Sequence, residues 1–292
     1  MRWEGRRESE NVRDRRAMSP AAVGGGGLVV IIALILAMVF GGNPQQFLQQ
    51  LENQGGPGGA AVAPAEVNPE EEQLAKFVKV VLADTEDVWN DLFPKLIGKP
   101  YQEPTLDLFR NGTDSACGRA SSAVGPFYCP GDNTVYLDLG FFEEMKTKFK
   151  APGDFACAYV IAHEVGHHVQ NLLGLSSEVS ALQAKAERAG DPVEAKRLSV
   201  RLELQADLLA GVWAHHAHQS KQILESGDIA EAINAAQAIG DDTLQRQTQG
   251  RVVPDAFTHG SSAQRIRWFS HGLKSGNLED IQLLFETPYE EL

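Results

Sequence analysis

The feature that most constrains the fold of this chain is an H-E-x-x-H motif, which runs from His163 to His167. An α-helix advances about 100° per residue, so two residues four positions apart lie one turn apart on the same face. In a helix, the two imidazoles can therefore bind one metal ion, and Glu164 lies beside it as a general base. The motif predicts a helix that carries half of a zinc site.

The residues around the motif favour such a helix. Residues 155–173 are rich in Ala, Val, Ile and Leu, Asp154 is suited to the N-cap, and Gly174 suits the position beyond the end. Gly166, in the helix interior, is about 1 kcal/mol less favourable than alanine, which indicates that another element packs closely there. The alternative interpretation is a pair of core histidines hydrogen-bonded to their neighbours.

An apolar block near the N-terminus predicts a membrane span. Residues 21–42 contain no charged side chain, and their centre reads LVVIIALILAMVF. Six arginines precede the block, and no Lys or Arg follows it until Lys76. The positive-inside rule then predicts a cytoplasmic tail at 1–20, a transmembrane helix at 21–42 and an extracytoplasmic domain, anchored to the cell membrane by a single pass. A cleaved signal peptide is the alternative, although no A-x-A site follows the block.

Charge and cysteine content narrow the class of protein further. The formal net charge of −13 argues against a nucleic-acid partner. In an exported domain disulfides persist, so Cys117 and Cys129, which flank a short Gly/Ser-rich loop, are expected to pair. Cys157 is left over and lies on the apolar motif helix, where a buried, unreactive thiol is expected.

The rest of the chain predicts one helix-dominated α+β domain with a small sheet. Residues 43–68 are rich in Gly, Pro, Gln and Ala and read as a flexible linker. The domain at 69–292 begins with Asn68 as an N-cap and Pro69 as the first helical residue. Two segments alternate like half-buried strands, 105–110 and 134–139. Further helices are predicted at 155–173, 178–189, 192–219, 229–239 and 262–271.

A catalytic zinc site needs a third protein ligand. The candidates are a carboxylate on a neighbouring helix or one of the other histidines, His168, His215, His216, His218, His259 and His271. One such helix contains RLELQADLLAGVW, residues 201–213. Glu203 and Asp207 lie four residues apart on one face of this otherwise apolar segment, which is costly unless both acids have partners. Glu203 can bind zinc, while Asp207 accepts the other ring N–H of a ligand histidine. The alternative is a pair of exposed acids on a solvated helix face.

Four segments together resemble the bacterial neutral zinc metallopeptidase family: FACAYVIAHEVGHHVQNLLG, ELQADLLAGVWAH, FTHGSSAQRIRWF and NVRDRR before the apolar block. The resemblance covers nearly the whole chain, and the order of the motifs is more distantly similar to the membrane gluzincins, which have a zincin-like domain. It implies that His163, His167 and Glu203 bind zinc, that Glu164 is catalytic, and that Asp207 supports a ligand histidine. The chain departs from the family pattern at Leu208, where a cysteine often follows the aspartate, so a disulfide from Cys157 to that helix is unavailable.

The expected function is therefore that of a membrane-anchored endopeptidase with one zinc ion, in which zinc-activated water hydrolyses a peptide bond and Glu164 is the general base. His259, just before a helix, is predicted to stabilise the tetrahedral intermediate, with Arg265 as a supporting charge. Local capping by His259 is equally compatible with the sequence. The segment 134–139 is the candidate strand for pairing with a peptide or protein substrate.

Two other functions use the same residues. A zinc-stabilised, non-catalytic binding or scaffold protein would keep the metal site without turnover. A metal-dependent amidase would act on cell-wall peptides. The presence of Glu164 favours an enzyme, because structural zinc needs no base and usually has four protein ligands.

Overall fold

The computed structural model describes residues 1–16, 68–121 and 125–292. These residues form an α+β fold in which helices predominate over a small four-stranded sheet and a separate two-stranded hairpin. The predicted helix-dominated α+β class is confirmed. One large hydrophobic core joins the sheet to the helices that carry the H-E-x-x-H motif and the E-x-x-x-D motif.

The four-stranded sheet has the order β1-β2-β6-β5. The strands, with those of the hairpin, are β1 (Val12–Asp14), β2 (Thr105–Phe109), β3 (Gly112–Ser115), β4 (Gly118–Ser121), β5 (Phe127–Cys129) and β6 (Thr134–Asp138). β1, β2 and β6 are parallel, whereas β5 runs antiparallel to β6. Because β2 and β6 lie in the interior of the sheet, nearly all of their residues are buried, and the prediction of half-buried strands was wrong.

Nine α-helices lie in the described part of the chain. They are α1 (Pro69–Ile97), α2 (Gly140–Thr147), α3 (Asp154–Leu172), α4 (Leu175–Arg188), α5 (Pro192–Lys221), α6 (Asp228–Ala238), α7 (Asp241–Gln249), α8 (Ser262–Ser275) and α9 (Leu283–Glu286). The sequence predicted α1, α3, α4, α5, α6 and α8, with ends that differ by a few residues. It did not predict α2, α7 or α9.

Asn68 is the N-cap of α1, as the sequence predicted, whereas the predicted N-cap of α3 was wrong. The Asn68 side chain accepts a hydrogen bond from the Glu70 N–H at 3.1 Å, as an N-cap does. α3 begins at Asp154 rather than after it, so Asp154 is not the N-cap. Instead, the Phe155 N–H at the start of α3 donates to the Glu231 carboxylate of α6 at 3.0 Å. A neighbouring helix thus supplies the capping group.

Close backbone contacts hold α5 against α3 and α8. A Cβ atom on Gly166 of α3 would lie only 3.0 Å from the backbone oxygen of Ala206 on α5, which confirms the close approach predicted at this glycine. A Cβ atom on Gly272 of α8 would collide with the backbone oxygen of Leu208. Because α5 is held against both neighbours at backbone distance, side chains from α5 and α8 reach the motif face of α3.

Residues 1–16 form an N-terminal arm that packs on the domain. Its strand β1 pairs with β2, and its arginines form ion pairs with carboxylates of α1 and β2. The pairs include Arg6 with Asp84 at 2.5 Å, Arg7 with Glu86 at 2.9 Å and Arg15 with Asp107 at 3.2 Å. The arginines that predicted a cytoplasmic tail therefore bind the domain itself.

The prediction of a single-pass membrane protein was wrong. Within residues 1–16, 68–121 and 125–292, no helix has both the length and the apolar content needed to cross a bilayer. The predicted span at 21–42 and nearly all of the linker at 43–68 lie outside the described residues. The arm and the domain share one sheet and so lie on the same side of any membrane, whereas one crossing between them would place them on opposite sides. A cytoplasmic N-terminus with an extracytoplasmic domain is incompatible with this pairing.

The cysteines lie near β5 and α3. A disulfide joins Cys117, in the turn of the β3–β4 hairpin, to Cys129 at the end of β5. Cys157 is a free, buried thiol on α3, and burial raises its pKa to about 12. The thiol is therefore protonated and unreactive at neutral pH.

Candidate metal centre

Three side chains from two helices converge at the candidate metal centre. His163 and His167 lie on α3, and Glu203 lies on α5. The Glu203 carboxylate oxygens are 3.3 Å from His163 Nε2 and 3.5 Å from His167 Nε2. One ligand atom from each residue lies within 4.8 Å of the other two, as in a group that could hold a metal ion. Two imidazole nitrogens and a carboxylate oxygen are a donor set that fits zinc.

Each histidine is held through its other ring nitrogen. His163 Nδ1 lies 2.8 Å from Asp207 Oδ1, and His167 Nδ1 lies 2.8 Å from Gln170 Oε1. Acceptors at Nδ1 hold a ring proton there, so Nε2 is the nitrogen of each ring that can bind a metal once it has lost its own proton. Asp207 was predicted for this role, whereas Gln170 was not.

Asp207 is the centre of a buried cluster. Arg265 of α8 donates to it twice, from Nε at 2.8 Å and from a terminal nitrogen at 2.9 Å, and the Tyr159 hydroxyl also donates to it. Burial alone would raise the pKa of Asp207, but Arg265 and His163 outweigh it and hold the pKa at about 2. Burial lowers the pKa of His163, yet Asp207 and Glu203 bring it to about 9. Arg265 was predicted to supply a supporting charge for the tetrahedral intermediate. In the structure its guanidinium instead forms an ion pair with Asp207.

Gln170 is itself held by α5. Its Nε2 donates to the Leu202 carbonyl at 2.7 Å and to Gln205 Oε1 at 2.8 Å. Gln205 Nε2 in turn donates to the Ile281 carbonyl at 2.9 Å. Both amide side chains are almost fully buried, so each has a fixed orientation.

Glu164 is buried beside the two histidines, and all three side chains line one cleft on the surface of the protein. Burial raises its pKa, although His163 and His167 oppose the shift. A carboxyl group with a raised pKa is suited to accepting a proton and returning it near neutral pH. The position and environment of Glu164 fit the predicted general base.

His259 lies on the wall of the cleft and is oriented by Asp241, at the start of α7. The two side chains are 3.3 Å apart, Nδ1 to Oδ1. The other Asp241 oxygen accepts the backbone N–H groups of Thr258 and His259 at 2.7 Å and of Gly260 at 3.1 Å. The hydrogen bond to Asp241 raises the pKa of His259 against the effect of burial. Sequence reasoning missed Asp241, which resembles an ordinary first-turn helix acid.

Comparison with known proteins gives the family. The sequence model of the family described as "Putative neutral zinc metallopeptidase" matches residues 1–283. The chain belongs to this family. The Escherichia coli K12 protein YpfJ, described as uncharacterized, is 50% identical over 283 residues, which cover 95% of this chain and 96% of YpfJ. The uncharacterized Mycobacterium tuberculosis H37Rv protein Rv2575 is 46% identical over 200 residues, 65% of this chain and 64% of the relative. No solved structure matches the chain.

In this member of the neutral zinc metallopeptidase family, the candidate centre opens into a cleft of about 640 Å³. Residues 125–128, which lead into and form most of β5, line one wall of the cleft. The segment 134–139 cannot serve as the substrate-pairing edge, because β6 lies between β2 and β5. β5 ends that side of the sheet among the described residues, and it is the strand beside the metal centre.

His168 attaches α3 to β5. Its Nε2 lies 2.6 Å from the Gln102 carbonyl oxygen, and its Nδ1 lies 3.0 Å from the Tyr128 hydroxyl. Asn171 Nδ2 donates to the same hydroxyl at 3.0 Å. Burial lowers the pKa of His168 to about 4, so the ring is neutral. The histidine beside the motif thus fixes the distance between the motif helix and the wall of the cleft.

Proposed function

We propose that the chain is a zinc-dependent endopeptidase. The observation that carries this proposal is the convergence of His163, His167 and Glu203 at the base of an open cleft, with Glu164 beside them on the same helix. Three protein ligands in an open cleft suit a catalytic site, because structural zinc usually has four. The same argument favours an enzyme over a scaffold protein.

Zinc bound by these three residues would supply a Lewis acid that lowers the pKa of water from about 16 to about 7. Glu164 accepts the proton of the water that attacks the peptide carbonyl carbon. It then donates that proton to the nitrogen of the departing amine as the carbon–nitrogen bond breaks. Its burial and raised pKa support both transfers. Asp207 and Gln170 keep the histidine rings in the orientation that the metal requires.

His259 is proposed to donate a hydrogen bond to the oxygen that becomes negative in the transition state. The Thr258 hydroxyl at 3.0 Å and the Asp241 carboxylate at 3.3 Å are the partners of Nδ1, which leaves Nε2 as the donor that the protonated ring can offer to substrate. The raised pKa of His259 keeps that ring protonated to higher pH than an ordinary histidine. Donors of this kind stabilise a developing oxyanion because they are already oriented before the reaction.

Zinc content and cleavage of an unbiased peptide pool test the proposal. We expect one zinc ion per chain in both the wild type and Glu164→Gln. The cleavage rate of the variant should be about 10²- to 10⁴-fold lower. Glu143→Gln is the control, because Glu143 is an exposed carboxylate on α2 that does not line the cleft. Equal activity of Glu164→Gln and wild type would contradict the mechanism. Hydrolysis of amide bonds in cell-wall peptides, without cleavage of the peptide pool, would favour the amidase.

A further inference from the structure

We infer that an apolar part of the cleft wall is a subsite for a bulky apolar side chain of the substrate, next to the scissile bond. We call this part the aromatic subsite, and it consists of Pro126, Phe127, Phe141, Phe149 and Val160. The inference rests on the proposed peptidase function and names the class of peptide that the site prefers.

The aromatic subsite is continuous with the metal centre. Val160 precedes Glu164 by four residues on α3, so the two side chains lie one turn apart on the same face of the helix. Val160 lines the same cavity as His163, Glu164 and His167. A substrate carbonyl placed beside Glu164 therefore has this wall within one helical turn.

The rings of Phe141 and Phe149 are held in place by neighbouring groups of the same cleft wall. The centroids of Phe141 and Phe149 are 6.1 Å apart. A Cβ atom on Gly125, in the segment before β5, would lie 3.8 Å from Phe141, so this backbone packs against the ring. The Lys148 ammonium lies 5.2 Å from the Phe149 ring centroid. The wall is therefore formed before a ligand binds, which reduces the entropy that binding would otherwise cost.

The charges around the aromatic subsite are already paired. Lys148 and Glu144, at its rim, form an ion pair at 3.4 Å. Among the other charged groups of the described cleft, Glu203 contacts His163 and Arg265 is paired with Asp207, while Glu164 is the proposed general base. A charged substrate side chain in this subsite would lose water and compete with the Lys148–Glu144 pair at its rim, whereas an aromatic or large aliphatic one would gain by burial.

Other residues of the cleft lining have a different chemistry. They supply apolar side chains, two hydroxyls and an imidazole, from Leu202, Ile239, Leu244, Ser176, Ser180 and His259. The rings of Phe141 and Phe149, by contrast, come from α2 and the segment just beyond it. A peptide extended along β5 points alternate side chains to opposite faces, so one residue next to the scissile bond can enter the aromatic subsite.

Binding of small hydroxamates to the zinc-loaded protein tests the inference without turnover. The probes are acetohydroxamate, 3-phenylpropionohydroxamate and the hydroxamate of succinic acid, which place a methyl group, an aromatic ring or a carboxylate beyond the metal-binding group. We expect the phenyl compound to bind at least about tenfold more tightly than the other two, in both the wild type and Glu164→Gln. Equal affinities, or no binding to the loaded protein, would overturn the inference.

The variant Phe149→Ala locates the preference. It should reduce the advantage of the phenyl compound to less than about threefold and leave acetohydroxamate binding unchanged. Phe149 is half-buried and lies just beyond α2, and Phe285→Ala is a matched control, because Phe285 is half-buried in a separate groove. A phenyl advantage that survives Phe149→Ala would also overturn the inference. Phe141→Ala provides a second variant at the same wall.

Cleavage assays distinguish failure of this inference from failure of the proposed function. Peptides that differ only in one residue, Phe, Leu, Asp or Lys beside the scissile bond, should show kcat/KM at least tenfold higher for Phe and Leu. A phenyl preference in hydroxamate binding with no peptide cleavage would refute the peptidase and keep the subsite. Cleavage with equal kcat/KM for all four peptides would refute the subsite and keep the peptidase.

Discussion

The amide oxygen of Gln170 lies 2.8 Å from Nδ1 of His167, three residues earlier on the same helix. The two candidate ligand histidines are thus held differently, His167 by a neutral amide and His163 by the Asp207 carboxylate. A carboxylate makes an imidazole more basic, whereas an amide mainly fixes the orientation of the ring.

We expect Gln170→Ala to lower zinc affinity about 10- to 100-fold, because His167 loses the acceptor that fixes its ring. Competition with a chromophoric chelator measures the change. Gln183→Ala is the control, since Gln183 also bonds a carbonyl of α5 but lies away from the cleft. Unchanged zinc affinity in Gln170→Ala would assign the amide a purely structural role.

Asp207→Asn is expected to reduce both stability and zinc affinity. The carboxylate neutralises Arg265, and both side chains are almost fully buried. Loss of one partner from a buried ion pair costs about 3 to 5 kcal/mol in the free energy of unfolding. Urea denaturation of the metal-free protein measures the cost, with the exposed Asp255→Asn as control. A loss of less than about 1 kcal/mol in the free energy of unfolding is typical of an exposed ion pair and would mean that solvent reaches Asp207 and Arg265.

Asp241→Asn should move the alkaline limb of the pH dependence of kcat/KM to lower pH. Asp241 raises the pKa of His259, with a further contribution from Glu203 and opposition from Arg265. Without the carboxylate the pKa of His259 falls, so the protonated ring is lost at a lower pH. Asp242→Asn, which changes the neighbouring acid that bonds Ser262, is the matched control. Superimposable profiles for Asp241→Asn and wild type would exclude protonated His259 from catalysis.

The double variant Arg13→Gln/Arg15→Gln should destabilise the domain. Asp107 is fully buried, and its ion pairs are with Arg15 at 3.2 Å and Arg13 at 3.8 Å. We expect a loss of about 1 to 3 kcal/mol at pH 7, discounted because both arginines are partly exposed. Thermal unfolding against the exposed Arg188→Gln control measures this loss.

The pKa of Asp107 determines how the stability loss of Arg13→Gln/Arg15→Gln changes with pH. Burial raises this pKa in the folded protein, and the two arginines lower it. Removing them raises the folded pKa further above the unfolded value, so the folded state resists ionisation more strongly. The variant should therefore approach wild-type stability near pH 4 and lose stability as the pH rises through the folded pKa. A deficit independent of pH would exclude Asp107 as its origin.

The sequence predicted which side chains lie together at the candidate metal centre, because local geometry determines most of this arrangement. His163, Glu164 and His167 occupy one helix, and Glu203 and Asp207 occupy another, so the 3.6-residue period alone places each group on a common face. Gln170 and Asp241 were missed because their roles depend on which elements pack together. Their residue types also fit ordinary positions on a helix surface.

The strands and the location were harder to predict, for two physical reasons. β1 and β5 contain only three residues each, too few to show a period, and they form through pairing with β2 and β6. The N-terminal arginines match the charge bias of a membrane anchor. Their partners, such as Asp84 and Asp107, lie about seventy or more residues away, so the sequence pattern did not reveal that the charges are neutralised within the fold.

The bonds from His167 to Gln170, from Gln170 to Gln205 and from Gln205 to the Ile281 carbonyl run in series through α5. The 3₁₀ helix at Leu278–Gln282 is therefore connected by hydrogen bonds to an imidazole of the cleft. A ligand or a truncation that displaced this 3₁₀ helix would release Gln205, then Gln170, and finally the ring of His167. Metal retention would then report on the integrity of this segment near the C-terminus as well as on the ligands themselves.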